Sequence, residues 1–198
     1  GGEVGAAASG EGGVVTKGMS YRARDGKNAN AAVAVSVLPA DFGGNPMEAV
    51  EFQRKLERAA YKAGGGGYAA PCQTVGNFFA GKSGGMGNRI VPTYMNGNVT
   101  GADFNKLFPP YIVSMMKAGF ADFGRKIKGY NAPDVPLTGI ETRTSAPLRI
   151  VRDEKMCAVG HSLVYPCGEG AGYAGGITSA AVDGLITAIH VIEHYNGR

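Results

Sequence analysis

One stretch of the chain puts a strand, an acidic glycine turn and a helix in immediate succession. Leu163-Val164-Tyr165 reads as a short strand, Cys167-Gly168-Glu169-Gly170-Ala171-Gly172 as the turn, and the residues from Ile177 to about Tyr195 as a helix. The first N–H groups of a helix have no partner within it and carry the positive end of its dipole, so they suit a polyanion or the electron-rich edge of a flavin. Glu169 supplies a carboxylate that can accept hydrogen bonds from sugar-alcohol hydroxyls. Gly168, Gly170, Gly175 and Gly176 let the backbone approach a flat ring closely. A plain glycine-rich link between packed elements accounts for the same residues, and residue chemistry alone leaves the two readings level.

Two other patterns imitate catalytic motifs. Gly76–Ser83 (GNFFAGKS) satisfies the phosphate-loop pattern, which works when a strand precedes it, a helix follows it, and slim residues let backbone N–H groups cradle phosphates. Phe78 and Phe79 are bulky for that loop, Pro71 interrupts the strand before it, and Gly84-Gly85-Met86-Gly87 is a poor helix start. A short helix with Phe78 or Phe79 in the core and Gly81 as its stop fits better. His190-Val191-Ile192-Glu193-His194 matches an inverted metalloprotease motif, but no downstream third ligand accompanies it, and histidines in a last turn complement the helix dipole. No metal is expected. Cys72, Cys157 and Cys167 show no CxxC spacing, so reduced thiols and a cytoplasmic setting are the expectation. Cys167, beside the turn, is read as a buried apolar cysteine in preference to a redox-active one.

The elements that must position these residues are legible in part. Glu3–Ala8 and Val14–Ser20 are short strand candidates, and Ala31–Leu38 reads as a buried strand ending at Pro39. Asn45, Pro46 and Glu48 form a helix start, and Ala49, Phe52, Leu56, Ala59 and Ala63 lie on one face of the helix that follows, which Gly64–Gly67 stops. A second amphipathic helix is expected over Pro110–Ile127, with Ile112, Met116, Phe120, Phe123 and Ile127 inward. Leu137–Thr144 and Leu148–Val151 read as strands. The final helix carries two adjoining apolar rows and only Asp183, Thr187, His190 and His194 as a polar stripe, so it is expected to be packed on most sides.

Composition bounds the rest. Hydrophobic residues make up 44% and charged residues 18% of the 198, enough for a core. The 33 glycines fall in clusters without a period, as tight turns do. Net charge is +4, but the basic residues are dispersed, which argues against nucleic acid. The longest strongly apolar stretch is far too short to span a bilayer.

Leu137–Ile150 (LTGIETRTSAPLRI) and the run YPCGEGAGYAGGITSAAVDG (Tyr165–Gly184) closely resemble the C-terminal end of a family of uncharacterised FAD-dependent dehydrogenases, large bacterial flavoproteins. Gly13–Tyr21, Ala23–Asn30, Glu51–Glu57 and Gly64–Gln73 resemble that family too, so the likeness covers nearly the whole chain. It implies an α+β fold: residues 1–139 as a substrate domain inserted in the flavin domain, with a mixed or antiparallel sheet and helices, and residues 140–198 as the returning C-terminal portion of a Rossmann-like FAD-binding domain. The missing partner is then an N-terminal half of the same polypeptide that holds the ADP of FAD, and this fragment alone binds FAD weakly or not at all.

Carried over residue by residue, the resemblance puts Glu169 on the ribityl hydroxyls and Gly168, Gly170, Gly175, Gly176 and Ile177 along the pyrophosphate and flavin edge. Arg143, Thr144 and Arg149 then face the ring or an anionic substrate, with ordinary salt bridges as the alternative for the arginines. Tyr173 covers the ring or sits in the core. No residue stands out as a general acid or base, and the substrate is undefined. The expected function is that of an FAD-dependent oxidoreductase fragment, the alternatives being a phosphate-loop nucleotide-binding module, an RNA-modifying flavoprotein or a non-catalytic interaction domain.

Overall fold

The computed structural model describes residues 1–86 and 89–196. It is α+β and divides into two compact units. The first comprises Gly1–Leu38 and Phe52–Thr142, the second Pro39–Glu51 and the residues from Arg143 onward.

The first unit opens on a hairpin of β1 (Glu3–Ala6) and β2 (Thr16–Met19), antiparallel with Glu3 opposite Met19 and Ala6 opposite Thr16. The Asn30 side-chain amide closes its open end, donating to the carbonyls of Glu3 (2.7 Å) and Met19 (3.3 Å). Val14, Val15 and Thr16, just before and at the start of β2, are buried. Their backbone is not orphaned there: the Val14 N–H donates to Glu57 O and the Thr16 N–H to Ile140 O.

After a four-residue turn of helix, α1 (Pro39–Phe42), comes α2 (Pro46–Ala63). It begins as its sequence requires. Asn45 Oδ1 accepts the Met47 N–H at 2.9 Å, and the Glu48 carboxylate reaches back to the Asn45 N–H at 3.3 Å. Leu56 and Ala60 join Val14, Ala70, Tyr94 and Ile140 in one core cluster. The helix stops at glycines for a steric reason: a Cβ on Gly64 would fall 1.9 Å from the Ala69 carbonyl oxygen. Gly65 and Gly66 follow at φ of 92° and 80°.

A mixed sheet has β3 (Ala70–Thr74) at its centre, parallel to β4 (Val99–Gly101) and antiparallel to β5 (Pro136–Thr138). All five residues of β3 are buried, the polar Gln73 and Thr74 among them. Pro71 does not interrupt this strand, contrary to expectation. The bonds beside β4 leave from the Ala70 N–H and the Cys72 carbonyl, and the Pro71 carbonyl accepts the Gly139 N–H, so its missing donor breaks none of them.

Three helices pack a second core against this sheet: α3 (Val75–Ala80), α4 (Phe104–Leu107) and α5 (Pro110–Lys126). Val75, Phe78, Phe104, Val113 and Phe120 form it. Ile112 and Phe120 face inward as their spacing predicts, whereas Phe123 and Ile127 at the end of the stripe are exposed. Gln73 joins the elements, its Oε1 accepting the Phe104 N–H at 3.0 Å and its Nε2 donating to Lys82 O.

The second unit carries one long helix, α6 (Ile177–Asn196). Between Arg143 and Gly176 the chain is irregular apart from isolated bridges of Ala158 with Arg152 and His161. Several strand expectations fail here and earlier. Ala31–Leu38 is irregular and mostly exposed, the strand over Leu137–Thr144 ends at Thr138, and Leu148–Val151 and Leu163–Tyr165 form none. Branched residues favour an extended backbone, but a strand exists only where another offers it a hydrogen-bonding edge. The packing expected of α6 is also corrected. Ile177 is 94% exposed and Leu185 66%, and Thr187 is its buried residue. Periodicity states which residues share a face, not what lies on it. Among the described residues no helix is long and apolar enough to cross a membrane.

Candidate functional site

Two glycines with left-handed backbone build the acidic turn. Gly168 stands at φ 71° and Gly172 at φ 83°, both in the left-handed region that side chains disfavour. A Cβ on Gly172 would fall 2.5 Å from Leu148 O and 2.9 Å from Arg149 Cα, so that strand of backbone approaches as only glycine allows. Within the turn, the Gly172 N–H donates to Glu169 O and the Tyr173 N–H to Gly168 O, each at 3.0 Å. Added at Gly168, a Cβ would lie 3.8 Å from Ala180 Cβ, which places the turn against the first turns of α6.

A charged clamp ties that turn to the helix. Asp183, on the second turn of α6, accepts the Gly168 N–H on Oδ2 at 2.8 Å. The same carboxylate takes both terminal nitrogens of Arg152, at 2.6 Å on Oδ1 and 3.1 Å on Oδ2. Arg152 also donates to Pro166 O at 2.9 Å, and its guanidinium lies 3.7 Å from the centre of the Tyr173 ring. The Arg152 bonds, and after them the Gly168 N–H, hold the Asp183 carboxyl below its ordinary range, because each favours the charged form.

Each residue singled out by the sequence has a definite place. Glu169 is partly buried at the turn, and its carboxylate has no partner among the described residues. Gly170 and Gly175 are exposed with open space where a Cβ would stand, a Cβ on the exposed Gly176 would lie 3.6 Å from Ser179 Oγ, and Ile177 starts α6 with its side chain in solvent. Tyr173 is a support of the turn: its hydroxyl accepts the Arg152 N–H and donates to Ile150 O, each at 3.1 Å. The Arg149 guanidinium lies 5.0 Å from the centre of that ring and donates to Gly172 O at 2.9 Å. Arg143 and Thr144 are exposed and lie outside the regular elements. Cys167 is exposed, which overturns its reading as a buried apolar residue: Pro166 takes the inward position beside it.

Sequence reasoning missed Arg152 and set Asp183 aside as part of a polar stripe. A signal existed for the second. An acid flanked by Val182 and Gly184 in so apolar a helix needs a partner.

The two imitated motifs resolve structurally. Thr74 caps α3, accepting the Asn77 N–H, and Gly81 closes it at φ 65°, with Phe78 fully buried and Phe79 exposed. Gly76 to Ala80 are thus helical, and their N–H groups are not arranged as a phosphate cradle. His190, Glu193 and His194 ride on α6, and among the described residues no three of His, Cys, Asp and Glu gather where a metal ion could be held.

The chain thus combines a mixed-sheet α+β unit with a long helix whose first turns hold a clamped Gly-Glu turn. The chain belongs to the family described as FAD-dependent protein, C-terminal domain-like, which matches residues 1–144. It is 48% identical over 200 residues to a protein of Clostridium beijerinckii described as uncharacterized, an alignment that takes in 99% of this chain and 37% of that relative. The chain therefore spans little more than a third of that relative's length. The Gly-Glu turn and α6 lie beyond the family match but within the reach of the relative.

Proposed function

We propose that this chain is the C-terminal part of an FAD-dependent oxidoreductase, bringing a substrate domain and a Gly-Glu turn that touches the flavin. The observation that carries the reading is the turn's construction. Its backbone is pinned at Pro166, Gly168 and Gly172, yet the Glu169 carboxylate at its apex is left without a protein partner among the described residues. A pinned frame with one free carboxylate suits a polyhydroxylated ligand, since its acceptor is already oriented when the hydroxyls arrive.

The residues fit FAD in kind. Glu169 would accept from ribityl hydroxyls, and Gly168, Gly170, Gly175, Gly176 and Ile177 would offer close backbone to the pyrophosphate and flavin edge. The 20-residue α6 directs the positive end of its dipole from Ile177, where a reduced, anionic ring is stabilised. When bound, FAD supplies hydride acceptance and donation. Membership of an FAD-dependent family and a relative whose length extends far beyond this chain support a further half that holds the ADP portion. The apolar, exposed rows of α6, with Leu185, Ile189 and Ile192, suit the interface with that half. Arg143, Thr144 and Arg149 are candidates for the ring or an anionic substrate, with Tyr173 behind them.

The test compares two polypeptides by calorimetry and visible absorbance. Residues 1–198 alone are expected to bind FAD weakly or not at all, and the longer polypeptide that we propose carries them to bind it with a flavin spectrum. Tight FAD binding by residues 1–198 alone contradicts the division of labour. A colourless longer polypeptide that takes up no FAD contradicts the cofactor.

A further inference from the structure

We infer that Asp183 and Arg152 are positioning residues for the flavin-contacting turn, setting where the Glu169 carboxylate stands without touching the cofactor themselves; the inference rests on the reading of that turn given above.

The carboxylate of Asp183 is the junction. It receives three hydrogen bonds, from the Gly168 N–H at 2.8 Å and from the two terminal nitrogens of Arg152 at 2.6 and 3.1 Å. Gly168 is the residue immediately before Glu169, so the bond to its N–H fixes the Cys167–Gly168 peptide that leads into the acid. Arg152 completes the frame from the other side. Its third bond, to Pro166 O, holds the chain entering the turn, and its stacking on Tyr173 holds the chain leaving it. The Tyr173 N–H in turn donates to Gly168 O. One ion pair thereby secures entry, apex and exit of a loop whose glycines cannot hold a conformation alone.

The geometry is selective about residue type. A guanidinium offers two parallel donors to the carboxylate, one more to a carbonyl, and a flat face for the ring. Lysine cannot do these together. The pair is also well shielded: the side chains are 11% and 15% exposed. Its partners are all inside the second unit, so the device works within one compact body.

The experiment uses the longer polypeptide, with FAD as the titrant, and compares wild type with Asp183→Asn, Arg152→Lys and Glu169→Gln. Three readouts are taken: FAD affinity, the midpoint potential of the bound flavin, and NMR exchange of the Gly168 amide. Asp183→Asn and Arg152→Lys are expected to weaken FAD binding about tenfold, shift the potential in the same direction as Glu169→Gln, and speed Gly168 exchange. Combining Asp183→Asn with Glu169→Gln should add little, because both act through one carboxylate contact. Wild-type affinity and potential in both clamp variants overturn the inference while leaving the turn's role intact. Wild-type values in Glu169→Gln as well, or no FAD uptake by wild type, overturn the flavin reading and this inference with it. If Asp183→Asn does not fold, Arg152→Lys decides, since it keeps the charge.

Discussion

The guanidinium of Arg152 lies 3.7 Å from the centre of the Tyr173 ring, and the Tyr173 hydroxyl accepts the Arg152 backbone N–H at 3.1 Å. One aromatic side chain therefore holds both the head and the root of the arginine that clamps the acidic turn. Replacing Tyr173 with Phe removes the hydroxyl contacts and should cost the second unit about 1 kcal/mol. Tyr173→Leu also removes the stacking, and about 2 kcal/mol in all is expected. Chemical denaturation followed by near-ultraviolet circular dichroism checks the order; equal losses in the two variants would contradict a role for the ring face.

The clamp predicts a pH response with a definite sign. Asp183 is held below its ordinary range in the fold, first by Arg152 and then by the Gly168 N–H. A depressed carboxyl stabilises the fold fully above its unfolded value of about 3.9, and that stabilisation is lost as pH falls through the folded value. The chemical shift of the Gly168 amide should therefore stay constant from neutral pH to about pH 4 and move below it. Asp183→Asn should abolish that movement, whereas a transition centred at pH 6 would rule Asp183 out as its source.

In the first unit, the side chain of Gln73 is a point of failure. It is buried, and its amide serves Phe104 N–H on one side and Lys82 O on the other. Gln73→Leu removes the partner of both backbone groups, the Phe104 N–H being buried, so a loss of about 2–5 kcal/mol is expected. Thermal unfolding of the variant measures it. A change under about 0.5 kcal/mol would mean that the two groups find partners elsewhere.

The two neighbouring phenylalanines of the phosphate-loop look-alike should separate sharply. Phe78 is fully buried against Phe120, while Phe79 is 43% exposed. Phe78→Ala should cost about 3–5 kcal/mol and Phe79→Ala far less. Lys82→Ala should leave ATP binding as it was, as expected of a helix C-terminus that cradles no phosphate; equilibrium dialysis with ATP tests this second point.

Local, self-sufficient features were legible from residue order alone. Asn45, Pro46 and Glu48 start α2 and the glycines from Gly64 stop it, because caps and αL turns are satisfied by atoms within a few residues. Gly81 closing α3, with one of two phenylalanines inward, follows from the same local chemistry, though only packing chose Phe78. The Gly-Glu turn before a long helix was legible in residue order, though not the contacts that hold it. Everything that needs a partner from afar had to wait for the folded chain. Ala31–Leu38 found no strand to pair with, Pro71 sat in a central strand where its absent donor was not required, and the rows on α6 were left in solvent. The Arg152–Asp183 clamp belongs here too, joining positions 31 residues apart. Composition and period assign a residue to a face or a turn, but hydrogen-bond edges, ion pairs and burial are properties of two segments brought together, and neither segment's sequence contains the other.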